Sequence, residues 1–165
     1  MTQLARECGI SKANIYHYYN GKDALLFDIL DTYLSALRER VCDIDMSGLG
    51  AEERLTAVIS EILMAYQGAD HEHQVQVGSM SALPEEQQTL LRGYQRDMVG
   101  VVSDAIEAVA PEVFEGEAAK LRGATMSVFG MLNWYYMWNS GAGKEAREDY
   151  ATLVSRLTLT GVRGL

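Results

Sequence analysis

Proline and cysteine are scarce in this chain, with two of each in 165 residues. Two thiols, Cys8 and Cys42, cannot build a disulfide framework. Each falls on an apolar helical face, so both are expected to be reduced, packed cysteines. The shortage of proline, and the absence of runs that alternate apolar with polar residues, exclude strand-rich architectures and predict an all-α fold. No apolar run reaches the ~18 residues of a membrane span, and no signal peptide is visible, so a cytoplasmic protein without membrane partners is expected. Chemistry-bearing patterns are equally thin. There is no HExxH or Cys/His spacing, no ordered Ser/His/Asp set, no carboxylate pair and no Gly-rich phosphate loop. His71-Glu72-His73 invites a metal reading, but residues two apart do not face one another on a helix. The triplet reads as a solvated helix start. Neither a metal, a cofactor nor an enzymatic activity is expected.

What is present is unevenly placed. The formal charge is −9 and 48% of residues are hydrophobic, enough for a sizeable core. Residues 1–22 nonetheless carry Arg6, Lys12 and Lys22 against Glu7 alone, so the acid lies in the remainder. Screening cuts off distant charge within about 10 Å, so a basic head can approach phosphates while an acidic body limits nonspecific contact. Thr2 to Asp23 reads as two short helices and the start of a longer third. Gly9 ends the first, Ser11 caps the second, and Ile10 and Ile15 turn inward. Two short helices joined by a Gly-containing turn form a helix-turn-helix, which presents the start of its second helix to the major groove. Ser11, Lys12, Ala13, Asn14, Tyr16 and His17 are the candidate DNA-contacting residues. Lys22 joins them, where its ammonium and the free N–H groups of a helix start can share one phosphate.

These residues resemble a known family. Ala5-Arg6-Glu7-Cys8-Gly9-Ile10-Ser11-Lys12, then Ile15-Tyr16-His17-Tyr18-Tyr19, then Lys22-Asp23-Ala24-Leu25-Leu26, is similar to the DNA-binding signature of TetR-type repressors. The resemblance implies a TetR-like fold, with residues 1–45 as head and linking helix and residues 46–165 as ligand-binding and dimerisation body. TetR-type heads carry another helix before this point, packed under the two short ones. The chain starts already inside what corresponds to the second helix, so weak DNA binding by this polypeptide alone is expected.

Along the body, heptad-like spacing predicts helices over Lys22–Asp45 and Ala51–Ala69, one or two turns over Gln74–Met80, and a helix from Pro84 to about Val109. Pro111 and Gly116 mark a loop. Two further helices follow, over Glu117–Ser140 and Ala146–Gly161, the last burying Tyr150, Leu153, Val154, Leu157 and Leu159. Asn133-Trp134-Tyr135-Tyr136-Met137-Trp138 is apolar nearly all round, and such a helix has to be covered on more than one side. Its covers are the chain's own core and a second subunit; in the TetR family the last two helices pair with their copies, which implies a homodimer.

Methionine and aromatic residues concentrate in the body, where they serve either as plain core or as an adaptable apolar pocket. Tyr66, Tyr94, Met98, Phe129, Asn133 and Trp134 are the candidate ligand-binding residues. Arg92 and Arg96, one turn apart, either clamp a phosphate or pair with Glu85, Glu86 or Gln88. The stretch Tyr16 to Leu30 and the later Gly130-Met131-Leu132-Asn133-Trp134 resemble repressors of aromatic-acid, fatty-acid or sterol catabolism that respond to acyl-CoA thioesters, with phenylacetyl-CoA as the nearest effector. The implied function is a dimeric repressor released from operator DNA by that small-molecule effector. A helical interaction protein without DNA function is the alternative, favoured by the acidic charge and the absent first helix.

Overall fold

The computed structural model describes residues 1–165 as nine α-helices, one 3₁₀ turn and no strand. The first three form the head and its support: α1 (Thr2–Glu7), α2 (Lys12–Tyr18) and α3 (Lys22–Cys42). Gly9 ends the first turn region at φ 65°, a left-handed conformation in which a Cβ would clash with the backbone. Ser11 then accepts the Asn14 N–H at 3.1 Å, so the expected N-cap is in place.

The body comprises α4 (Ala51–Ala65), α5 (Asp70–Ser79), the 3₁₀ turn Met80–Ala82, α6 (Glu85–Val109), α7 (Pro111–Phe114), α8 (Ala118–Trp138) and α9 (Lys144–Val162). Central among them, α4 touches α3, α6, α8 and α9. Its Leu55, Val58, Ile59, Ile62 and Leu63 are all buried and meet Leu34 and Leu37 of α3, Val102 and Ile106 of α6, and Leu132 of α8 in one core. Both ends of α3 thus serve different units: Lys22 sits at the head, while Leu30, Leu34, Leu37 and Val41 are buried in the body.

Several boundaries differ from expectation. Helix α4 stops at Ala65 instead of Ala69, because Gly68 takes φ 79° and turns the chain. The residues beyond that turn join α5, which is a full helix of 10 residues. Pro84 is the N-cap of α6, one position before its expected place. The loop at Pro111 contains the short α7, closed over the core by buried Phe114. In α9 the expected inner face is partly reversed. Val154 is buried, but Leu153 and Leu157 are 51% and 54% exposed, and Arg147, Ala151, Ser155 and Thr158 face inward. Small residues there let α9 lie close against α4.

Arg147 is 1% exposed and anchors that contact. It donates to the carbonyls of Ala142 and Leu63 and, at 3.2 Å, to Asp70. Asp70 also accepts from the Gly141 N–H and the Ser140 hydroxyl, which closes the α8–α9 joint onto the start of α5. Burial alone would raise the Asp70 carboxyl, but those hydrogen bonds and the guanidinium charge hold it below its usual value. Arg147→Met is expected to lower unfolding stability in urea by about 3 kcal/mol, since it takes the guanidinium from Asp70 and the donor from the Leu63 and Ala142 carbonyls. Adding Asp70→Asn to that variant is expected to recover part of the loss.

Candidate functional site

The head has almost no interior of its own, since Ala5 and Ile15 are its only buried residues up to Ile29. Lys12, Ala13, Asn14, Tyr16 and His17 are exposed on α2, together with the capping Ser11. Lys22, also exposed, is the first residue of α3. Lys12 Nζ lies 5.6 Å from the centre of the Tyr16 ring, which holds both on the same helical face. Tyr19 donates to Asp28 at 2.7 Å and ties the end of α2 to α3.

Two expectations about the head fail. Cys8 and Ile10 are exposed, not packed. With Leu4, Ile15, Tyr18, Tyr19, Leu25 and Ile29 they line an apolar groove of about 300 Å³.

A cavity of about 390 Å³ opens in the body between α3, α6 and α8. Leu34, Leu37, Met98, Val99, Met126 and Phe129 give it apolar walls, while Tyr66, Asn133, Gln76 and Gln95 supply hydrogen-bonding groups. Arg92, Arg96 and Arg122 complete the lining. None of the three forms an ion pair, and Arg92 donates only to Gln88 at 2.8 Å. Tyr66 donates to Asn133 Oδ1 at 2.7 Å, which fixes the amide and leaves its N–H₂ without a protein acceptor.

Six of the eight expected ligand-binding residues line this cavity: Tyr66, Arg92, Arg96, Met98, Phe129 and Asn133. Tyr94 does not. It lies two residues from Arg92, hence across the helix, and donates to Asp31 of α3 at 3.1 Å. Trp134 does not either, being turned outward from Asn133 and 61% exposed. Arg122 and Met126 were not among the expected lining residues. The spacing 122, 126, 129, 133 is a helical stripe, and extending it back from Phe129 finds both. A shallower groove of about 490 Å³ runs beside Asp28, Tyr33 and Glu72, but its guanidinium, Arg40, is already paired with Glu61.

His73 departs from the expectation of a solvated helix start. His71 is exposed, but His73 is 2% exposed, in contact with the rings of Tyr66 and Tyr136. Its Nε2 lies 3.2 Å from the Asn133 carbonyl, which can only accept, so Nε2 carries the proton. Nδ1 is then an acceptor for the Tyr33 hydroxyl at 3.3 Å. Burial pulls the imidazole below its ordinary value, against the opposing effects of the Asn133 hydrogen bond and Asp70. No three potential metal ligands come together in the structure.

An exposed helix-turn-helix, carried on a helix whose other half is buried in an all-helical body, defines a DNA-binding transcriptional regulator. Residues 1–29 match the family described as bacterial regulatory proteins, tetR family, and residues 48–162 match the tetracyclin repressor-like C-terminal domain. The chain belongs to the TetR family of transcriptional regulators, whose members are generally non-enzymatic DNA-binding proteins. It is similar to a TetR-family transcriptional regulator from Bordetella parapertussis 12822, at 30% identity and TM-score 0.89 over 99% of this chain and 85% of that one. The fold is shared with the TetR family regulator PfmR from Thermus thermophilus, at 20% identity and TM-score 0.73 over 94% and 86% of the two chains. It is shared also with AibR, whose structure is a complex with isovaleryl coenzyme A and operator DNA, at 22% identity and TM-score 0.73 over 96% and 86%. No curated protein matches the chain. No helix is long and apolar enough to cross a membrane.

The neutral, buried His73 makes stability pH-dependent. In the unfolded chain the imidazole takes a proton near 6.5, whereas the folded protein binds it only at lower pH. Stability is therefore expected to be intact above that value and to fall as pH drops through it, by at most about 1.4 kcal/mol per pH unit. Urea unfolding at pH 7.5 and 5.5 checks this, and His73→Phe is expected to flatten the difference.

Proposed function

We propose that the chain is a dimeric repressor, acting in the cytoplasm, that leaves its operator when an acyl-CoA thioester occupies the α3–α6–α8 cavity. It has no enzymatic role. Residues 1–45 form the operator-reading head and linking helix, and residues 46–165 the effector-binding and dimerising body. The observation that carries the reading is three unpaired guanidiniums beside an apolar cavity in a chain of net charge −9. A guanidinium binds phosphate bidentately, and three of them suit a ligand with several phosphates and an apolar tail. The free amide N–H₂ of Asn133 is a donor for a thioester carbonyl. That a TetR-fold regulator is known in complex with isovaleryl coenzyme A supports the same class, and the sequence likeness to phenylacetate-type repressors makes phenylacetyl-CoA the first candidate.

Release is a population shift. Effector binding favours a body state in which α3 holds the heads wrongly spaced for the duplex. Helix α6, which supplies Arg92 and Arg96, is tied to α3 by Tyr94–Asp31 and by Arg38–Asp97 at 2.5 Å. The heads work in pairs because one helix-turn-helix makes too few contacts, and two about 34 Å apart read a palindrome. The outer face of α8 and α9 suits the second copy: Trp134, Met137, Trp138, Leu153 and Leu157 are all exposed in the single chain.

Calorimetry should show phenylacetyl-CoA binding and free phenylacetate failing to bind. Silence with every CoA thioester would remove the effector reading. Arg122→Ala is expected to weaken thioester binding by about tenfold or more, the worth of a charge-assisted hydrogen bond. On the operator, Lys12→Ala and Lys22→Ala are each expected to reduce the salt dependence of binding by about one unit. Leu153→Glu with Leu157→Glu should yield a folded monomer in sedimentation.

A further inference from the structure

The cavity and the linking helix meet through a chain of hydrogen bonds that runs along neither α6 tie. Tyr66 donates to the Asn133 side chain, the Asn133 carbonyl accepts from His73 Nε2–H, and His73 Nδ1 accepts from Tyr33 on α3. Asn133 and Tyr66 line the cavity. Tyr33 lies one turn from Leu30 and Leu37, on the helix that carries the head. His73, at the middle, is enclosed by the rings of Tyr66 and Tyr136.

Such a chain is sensitive to small displacement. Each link has one donor and one acceptor, and the two that His73 makes are already long for their type at 3.2 and 3.3 Å. Asn133 belongs to both ends of the argument, since its amide faces the cavity while its carbonyl holds the imidazole. A ligand oxygen that takes the free amide N–H₂ competes with Tyr66 for the orientation of that side chain and shifts this stretch of α8. His73 cannot follow without releasing either Asn133 or Tyr33, because no other acceptor or donor of the protein reaches it. The bond to Tyr33 is then the one that differs between the bound and free states. We propose that Asn133, His73 and Tyr33 form the relay by which occupancy of the cavity is read by α3, with His73 as its positioning residue. The proposal rests on the effector reading above for its input and on the operator for its output.

Tyr33→Phe removes a single hydroxyl, and His73→Phe keeps an aromatic ring between Tyr66 and Tyr136. Binding of phenylacetyl-CoA and isovaleryl-CoA is measured by calorimetry, and operator affinity by fluorescence anisotropy on a duplex selected from a random library. In the wild-type protein a thioester should weaken operator binding by the roughly 5–150-fold typical of allosteric coupling. In both variants that factor is expected to fall below about twofold, while thioester affinity stays within about threefold of wild type. Wild-type coupling in both variants would overturn the relay, as would parallel loss of thioester and operator binding with a lowered melting temperature. Tyr94→Phe, which breaks one of the two α6 ties and leaves the relay intact, should keep most of the coupling.

If neither thioester acts on the wild-type protein, the effector reading fails and the relay is judged from its other end. Coupling is reciprocal, so operator binding must then change the environment of His73. A shift of the His73 imidazole ¹⁵N resonances on adding operator, absent in Tyr33→Phe, supports it. Unmoved resonances in the wild-type protein overturn it.

Discussion

The burial of Leu30, Leu34, Leu37 and Val41 in the body is the constraint on which the rest of the structure depends. Each such side chain contributes about 1.5–3 kcal/mol when removed from water, so the C-terminal part of α3 is fixed to α4 and α6. The head has only Ala5 and Ile15 buried and cannot set its own position. It follows α3. From Leu30 back to Lys22 the helix projects about 12 Å, so a modest tilt of its anchored part displaces Lys22 and the exposed side chains of α2. A regulator built this way needs no rearrangement inside the head, only a change in how one helix lies on its neighbours.

Charge is distributed to match that division. In the body, Arg38, Arg40, Arg147 and Arg163 each meet a carboxylate, on Asp97, Glu61, Asp70 and Glu52 respectively. These pairs join α3 to α6, α3 to α4, α9 to α5, and the end of α9 to α4. The three guanidiniums around the cavity are left out of this scheme although acids outnumber bases by nine. All three are exposed, so water solvates them and they remain free to meet an anion, while the neighbouring Phe129 and Met98 suit an apolar group on the same ligand. Tyr33 and Tyr66 are kept neutral by burial, so the hydrogen bonds behind the cavity are made by uncharged groups whose directions matter more than their fields.

Much of this was legible in the amino-acid order because the signals were local. Gly9, Ser11 and the aromatic run before Lys22 mark the helix-turn-helix, and Pro84 with two glutamates marks the start of α6. The cavity was legible to the extent that it follows helical stripes, as Met98, Phe129 and Asn133 do. Tyr94 and Trp134 fell outside it because composition does not say which side of a helix a residue occupies; one further position turns a side chain by a quarter turn or more. His73 and Arg147 were missed for a different reason. Both are polar residues buried by partners distant in sequence, Tyr33 and Asn133 for one, Asp70 and Leu63 for the other. No periodicity encodes such a pairing.

Helix α9 shows how a misassigned face carries information of its own. Its leucines were expected inside, yet Leu153 and Leu157 point out while Ala151, Ser155 and Thr158 pack against the core. Along α8, Trp134, Met137 and Trp138 are exposed in the same way, while Tyr135 is buried and stacked on Tyr150 at 4.5 Å. A monomer that spent its largest apolar side chains on solvent and its small ones on the interior would be poorly designed for solubility. The same pattern is what a helix needs when it is buried on one side by its own chain and on the other by a copy. In the proposed dimer, α8 and α9 would then set the distance between two bodies, and with it the distance between two α3 helices. On that proposal the span between bodies would be fixed by side chains that do not line the cavity, and an effector would change the spacing of the heads through the tilt of α3 alone.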